Sequence, residues 1–266
     1  MAASADPIQI GALISGGGTN LQAIIDGCES GKIAGRMVFV GTDNPRAKGL
    51  QRAKKHRIPT FTVDYASIIK EFKASPDRGR LPGDFDFEEI HARQSFFKDE
   101  PDIAKVTLFL KSRAIAEAAL LEKMAGYDFD LLVLAGFMRN LSPYFIDRVN
   151  TDPERPRIMN IHPALLPVFP GADGYGDTWR YGCKVGGCTV HFIDYGEDSG
   201  PIIGQRCFPI EESDTLNDVK RKGLEQEWRL YPECIQRFAE GRLKLEKRSH
   251  DLGKGKTYSR TVVVID

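Results

Sequence analysis

The spacing of apolar positions changes several times along the chain, and each change marks an element. Ile8 to Ile14 is a mostly apolar run that ends in Ser15-Gly16-Gly17-Gly18-Thr19-Asn20, after which Leu21, Ile24, Ile25 and Cys28 recur at helical spacing until Gly31. This predicts a strand, a glycine turn and a helix. Met37 to Val40 predicts a second strand, Ala47 to Arg57 a helix with a basic face, and Pro59 to Val63 a third strand. Alternation with short connections predicts an α/β chain with a parallel sheet and right-handed crossovers. From Tyr65 to Pro101 the pattern is lost among Asp77-Arg78-Gly79-Arg80, Pro82-Gly83 and charged clusters, so this stretch reads as an insertion or lid, mobile unless something covers it.

Ile103 to Met124 is the longest helical stretch and feeds Leu131 to Ala135, a run bounded by Asp130 and Gly136 that predicts a strand buried on both faces. Ser142-Pro143 suits the N-cap and first position of a short helix. Arg157 to Ile161 predicts a strand stopped by His162-Pro163, followed by a long loop from Ala164 to Gly187. Cys188 to Phe192 and Ile202 to Ile210 predict two further strands, the second open to antiparallel placement. Thr215 to Ala239 predicts a closing helix capped by Ser213 or Asp214. Beyond Gly241 the chain is basic and ends in a strand-like apolar tail, Thr261 to Ile265.

Composition narrows the class. The 266 residues suffice for one large domain or two small ones, and 41% hydrophobic with 28% charged residues excludes disorder and fibrous repeats. The 37 basic and 37 acidic side chains cancel, which argues against a nucleic-acid or anionic-membrane partner. Any bound anion must therefore be met by a local site. Met1 to Pro7 lacks the basic and apolar regions of a secretion signal, and the longest apolar run, Leu131 to Met138, is far shorter than a bilayer span. A cytoplasmic location follows as the expectation. Five scattered cysteines without Cys-x-x-Cys pairing support neither a disulfide framework nor a zinc knuckle, and reduced thiols are expected.

Three segments can carry chemistry. The glycine loop before the first helix can converge its amides on an anion at the positive end of the helix dipole, or it is simply a turn. It lacks the Gly-Lys-Ser/Thr of a triphosphate loop, and Leu21 stands where the dinucleotide fingerprint needs glycine, so any site there is small enough for one phosphate, with Thr19 and Asn20 as extra donors. Asn160 and His162, two apart at a strand end, share one face at the carboxyl edge of the sheet, where open α/β sheets bind ligands. Such a histidine is a general acid or base, an oxyanion donor beside the carboxamide, or a core residue held by backbone. Asp198, in the turn Tyr195-Gly196-Glu197-Asp198-Ser199-Gly200-Pro201, either caps the turn or faces His162 and favours its imidazolium. His191, alternating with apolar neighbours, reads first as a structural hydrogen-bonding residue.

Ile14 to Gln22, Leu134-Ala135-Gly136-Phe137-Met138-Arg139, Asn160-Ile161-His162-Pro163-Ala164-Leu165-Leu166-Pro167 and Asp198-Ser199-Gly200-Pro201, in that order, resemble the folate-dependent glycinamide ribonucleotide formyltransferases. The resemblance covers about Ile8 to Leu243, except for the insertion. It implies a mostly parallel, Rossmann-like seven-stranded sheet flanked by helices, with residues 1–245 as the formyltransferase domain, the insertion at about 65–101, and 246–266 as a C-terminal extension. It further implies 10-formyltetrahydrofolate as co-substrate, no metal, and a phosphorylated amine as acceptor. By motif, His162, Asn160 and Asp198 would be catalytic. Met138, Arg139, Asn140, Leu141, Asn160, Asp194, Tyr195, Gly196 and Glu197 would bind folate, and Gly18, Thr19, Asn20 and Glu227 the acceptor.

The chain departs from the family pattern in its insertion and at Ala172 to Trp179, where relatives carry a His-containing stretch; both bear on the acceptor. A formyltransferase acting on another amine, such as an amino-sugar nucleotide, and a formyltetrahydrofolate hydrolase are the alternatives. A non-catalytic binding module would not need Asn160, His162 and Asp198 together.

Overall fold

A computed structural model describes residues 6–76, 80–97 and 100–266. Its seven-stranded sheet runs in the order β3 (Thr60–Thr62), β2 (Gly35–Thr42), β1 (Ile8–Ile14), β4 (Leu131–Leu134), β5 (Ile158–His162), β6 (Val185–Phe192), β7 (Ile202–Pro209). The first five strands are parallel; β6 pairs antiparallel with both β5 and β7. The strand order reverses between β1 and β4, the switch point at which such sheets open a ligand crevice at their carboxyl ends.

Period-two alternation divides the core between the sheet's two faces. Ile10, Ala12 and Ile14 of β1 and Leu131 and Val133 of β4 join one cluster with α1 (Thr19–Glu29) and α8 (Leu216–Ala239). Leu13, Leu132 and Leu134 join the other with α5 (Ile103–Met124) and α6 (Pro143–Val149). A short α2 (Gly49–Lys55) lies between β2 and β3.

The structure corrects three sequence expectations and extends a fourth. The 65–101 stretch is not patternless: it holds α3 (Tyr65–Ala74) and α4 (Phe87–Arg93), with Tyr65, Phe72 and Ile90 buried; its residues 77–79 and 98–99 lie outside the described residues. Both helices are short, and Asp64 and Asp86 cap them by accepting from Ser67 N and Glu89 N, each at 3.1 Å. The loop after His162 contains α7 (Gly174–Arg180), and β6 begins at Val185 rather than Cys188. The cap of α8 is Thr215, whose hydroxyl and backbone form a reciprocal pair with Asp218; Asp214 is engaged instead with Lys222 at 2.6 Å. The basic tail pairs as a hairpin, β8 (Leu243–Asp251) with β9 (Thr257–Ile265), whose Leu245 and Val263 pack on the first cluster. No helix among the described residues is long and apolar enough to cross a membrane.

Candidate active site

A cleft of about 510 Å³ opens at the carboxyl edge of the sheet, and Asn160, His162 and Asp198 all line it. β5 delivers the first two: alternate residues of one strand, they stand on one face at its end. Asp198 comes from the turn between β6 and β7, held in the left-handed region at φ 49. That turn is tight enough to require glycine at 200, where a Cβ would fall 1.8 Å from the Phe192 carbonyl oxygen.

The His162 ring is engaged at both nitrogens. Nδ1 lies 3.1 Å from Asp198 Oδ2, and Nε2 lies 2.8 Å from the Phe169 carbonyl oxygen. Both partners only accept, so the ring carries two protons when both bonds are made. Burial opposes that charge, but the Asp198 carboxylate and the Phe169 carbonyl outweigh it and raise the histidine above its ordinary value. Burial likewise works against the Asp198 charge, and hydrogen bonds from His162 and from the Gly171 amide at 2.8 Å reverse the balance, holding its carboxyl well below the usual carboxylate range. His191 plays the structural part expected of it. Its Nδ1 donates to the Phe192 carbonyl at 2.9 Å, which leaves Nε2 to accept from Asn160 Nδ2 at 3.2 Å and so fixes the carboxamide.

Two loops wall one end of the cleft. Met138, Arg139, Asn140 and Leu141 form the first, pinned from below: Ser15 Oγ donates to Asp43 at 2.5 Å and accepts from Met138 N at 2.8 Å, while Arg139 Nε meets Asp43 at 2.5 Å. Asp194, Gly196 and Glu197 belong to the second, and Asn140 Nδ2 reaches Glu197 across the gap at 3.2 Å. Tyr195 does not line the cleft. Its hydroxyl donates to Asp147 at 2.6 Å and accepts from Arg93 at 2.5 Å.

At the opposite end, the Glu227 carboxylate is buried and accepts from Asn20 Nδ2 and from the Tyr175 hydroxyl, both at 2.6 Å. Burial raises the Glu227 carboxyl, against the pull of these two donors and of His162. Asn20 and Glu227 line the cleft; Gly18 and Thr19 do not. Gly18 sits at φ 70 as the N-cap position of α1, with no side chain capping that helix among the described residues, and Thr19 borders a separate groove between α1 and α8.

The same chain matches known proteins over most of its length. A profile of the formyl transferase family fits residues 8–235. Phosphoribosylglycinamide formyltransferase of Haemophilus influenzae is 34% identical over 90% of this chain and 90% of its own, and that of Escherichia coli 32% identical over 89% and 90%. The crystal structure of glycinamide ribonucleotide transformylase 1 from Symbiobacterium toebii superposes with a TM-score of 0.69 at 36% identity, covering 98% of this chain and 94% of that one. The chain belongs to the formyl transferase family. As in that family, its sheet is mostly parallel, seven-stranded and flanked by helices.

This formyl transferase lines its cleft with residues that sequence reading passed over. Arg113 of α5 is 6% exposed, stacks on the Phe109 and Tyr65 rings at 4.9 and 5.5 Å, and its Nε and Nη1 have no hydrogen-bond partner among the described residues. Tyr175 arises from the departure at 172–179. Lys220 and Leu224 share the Glu227 face of α8, and their spacing of seven and three residues before Glu227 was the available signal. Phe96, from the insertion, also lines the cleft. A group with metal-ligand spacing, Asp26, Glu29 and His56, is not part of the cleft lining, and Glu29 already bonds His56 Nδ1 at 2.6 Å.

Proposed function

We propose that this chain transfers the formyl group of 10-formyltetrahydrofolate to the amine of 5'-phosphoribosylglycinamide, in de novo purine (IMP) biosynthesis, and does so in the cytoplasm. The observation that carries the reading is the His162–Asp198 pair at 3.1 Å beside Asn160, at a sheet edge of a formyl transferase. The acceptor amine attacks the formyl carbon, a carbon–nitrogen bond forms, and the carbonyl oxygen becomes an oxyanion. His162, cationic through Asp198, stabilises that charge together with the free amide hydrogen of Asn160. The tetrahedral adduct then breaks its bond to the folate nitrogen, which receives the proton that the amine gives up. To reach the oxyanion, the imidazolium exchanges its Phe169 carbonyl contact for the substrate.

The loops Met138 to Leu141 and Asp194 to Glu197 are the folate walls in this reading, and the unpartnered guanidinium hydrogens of Arg113 suit a folate carboxylate. Glu227 and Asn20 hold the acceptor, and the uncapped N-terminus of α1 at Gly18 and Thr19 receives its phosphate. The side chains named carry these steps. Loss of 10-formyltetrahydrofolate is followed by absorbance with and without phosphoribosylglycinamide. Consumption only with that acceptor supports the reading, release of formate without it marks a hydrolase, and consumption only with another amine moves the chain to that acceptor.

A further inference from the structure

The insertion sends one aromatic side chain into the cleft. Phe96 and Phe97 are neighbours with opposite fates. Phe97 packs edge-on against Phe109 at 4.9 Å in the small core that α4 shares with α5 and α6, whereas Phe96 joins none of the hydrophobic clusters and lines the cleft. This division is fixed by Gln94, which is buried and accepts from Phe97 N at 2.9 Å. The same turn grips the loop that carries Asp198. Ser95 donates to the Tyr195 carbonyl through its amide at 2.9 Å and through its hydroxyl at 3.1 Å. Arg93 meets the Tyr195 hydroxyl and, at 2.8 Å, the Asp147 carboxylate. A Cβ on Gly196 would come within 2.7 Å of Ser95 Oγ, so the two segments are in direct contact. At the other end of the 84–97 segment, Asp84 accepts from the Tyr144 hydroxyl at 3.1 Å and pairs with Arg148 at 2.5 Å. The 84–97 segment is thus tied down at both ends, with the half-buried Phe96 on the cleft lining.

We propose that Arg93 to Phe96 belongs to the donor site: the Phe96 ring is a wall for the flat aromatic body of the folate, and Arg93 and Ser95 are positioning residues for the loop Asp194 to Asp198. The inference rests on the folate reading above and adds a contact from the insertion. An aromatic face at a cleft rim gains both apolar burial and ring stacking from a heteroaromatic ligand.

The test measures KM for each substrate and calorimetric binding of tetrahydrofolate, in the full chain, for Phe96→Ala, Phe96→Tyr and Phe97→Ala. Phe96→Ala is expected to weaken tetrahydrofolate binding and raise the donor KM about tenfold, with the acceptor KM within about twofold. Phe96→Tyr, which keeps the ring, restores the donor KM. Phe97→Ala lowers Tm and leaves the donor KM near wild type. Unchanged tetrahydrofolate binding in a folded Phe96→Ala protein overturns the proposal while the folate reading stands, as does a Phe97→Ala effect of equal size on the donor KM. Wild-type protein that neither binds tetrahydrofolate nor consumes its formyl derivative overturns both.

Discussion

The two ends of the cleft are built differently. At one end Glu227, Asn20 and Tyr175 come from helices α8, α1 and α7, and the carboxylate is buried with both oxygens occupied. At the other end Met138 to Leu141 and Asp194 to Glu197 are loops, joined across the gap by a single 3.2 Å bond, and Met138 is 61% exposed. Helix-borne groups that satisfy one another make a small site of fixed shape, which suits a compact polar acceptor. Loops tied at a few points make an open slot, which suits a long, partly aromatic donor. His162 and Asp198 line the same cleft, so substitutions should sort by what they touch: both substrates for this pair, one substrate for either end.

This pair gives the largest effect. His162→Ala removes an oxyanion donor and is expected to lower kcat by roughly 10² to 10³, with circular dichroism and both KM values little changed. Near-wild-type turnover would refute the assignment, and a rise in one KM alone would place His162 at one end.

Asp198→Asn comes next, with a loss of roughly ten- to a hundredfold in kcat at neutral pH, the scale of one hydrogen bond to a charged group. Its signature is a pH profile. His162 is held above its ordinary value chiefly by Asp198, so the wild-type rate should fall on the alkaline side above the usual histidine range, and the variant should lose activity at lower pH. Stability follows the same sign: the raised histidine contributes fully below its unfolded pKa and the contribution fades as pH rises through the folded one. The depressed Asp198 carboxyl contributes above its unfolded pKa and loses that contribution only in strong acid. A variant whose alkaline limb stays in place would separate the pair functionally.

Glu227→Gln probes the helical end alone. The amide can still accept from Tyr175, and because Asn20 Oδ1 has no partner, a flipped Asn20 can accept from the new amine. The substitution therefore removes charge with little change in packing. The acceptor KM is expected to rise about tenfold, with the donor KM unchanged. An equal rise in both KM values would mean that the two ends are not independent.

Strand periodicity made the end of β5 legible in sequence. Asn160 and His162 are two apart before a proline, and the alternation that buried Ile158 and Met159 on opposite faces also aimed them at one edge. The glycine loop and the closing helix were legible for the same reason, as period changes at a strand end and a capped start. What sequence did not give was pairing across distance. Glu227 and Tyr175 are 52 residues apart, and nothing local announces that they meet. Arg113 reads as an ordinary surface position of a helix, because its burial comes from Phe109 and Tyr65 packing over it. The insertion hid two helices because each shows only two to three turns of periodicity. Tyr195 shares the loop Asp194 to Glu197, but its side chain meets Asp147 and Arg93 and does not line the cleft.

That outward side chain supplies the mildest test. Tyr195→Phe deletes a hydroxyl shared by Asp147 and Arg93 but keeps the ring under the Arg93 guanidinium and leaves the Arg93–Asp147 ion pair at 2.8 Å. One partly exposed hydrogen bond contributes about 1 kcal/mol at most, so Tm should drop by a few degrees and the donor KM should rise two- to threefold, roughly. The acceptor KM should not move, because no bond of Tyr195 reaches Glu227, Asn20 or Tyr175. A shift confined to the acceptor KM would show that the loop end and the helix end are coupled through the Asp198 turn, and the division between a fixed site and an open slot would have to be given up.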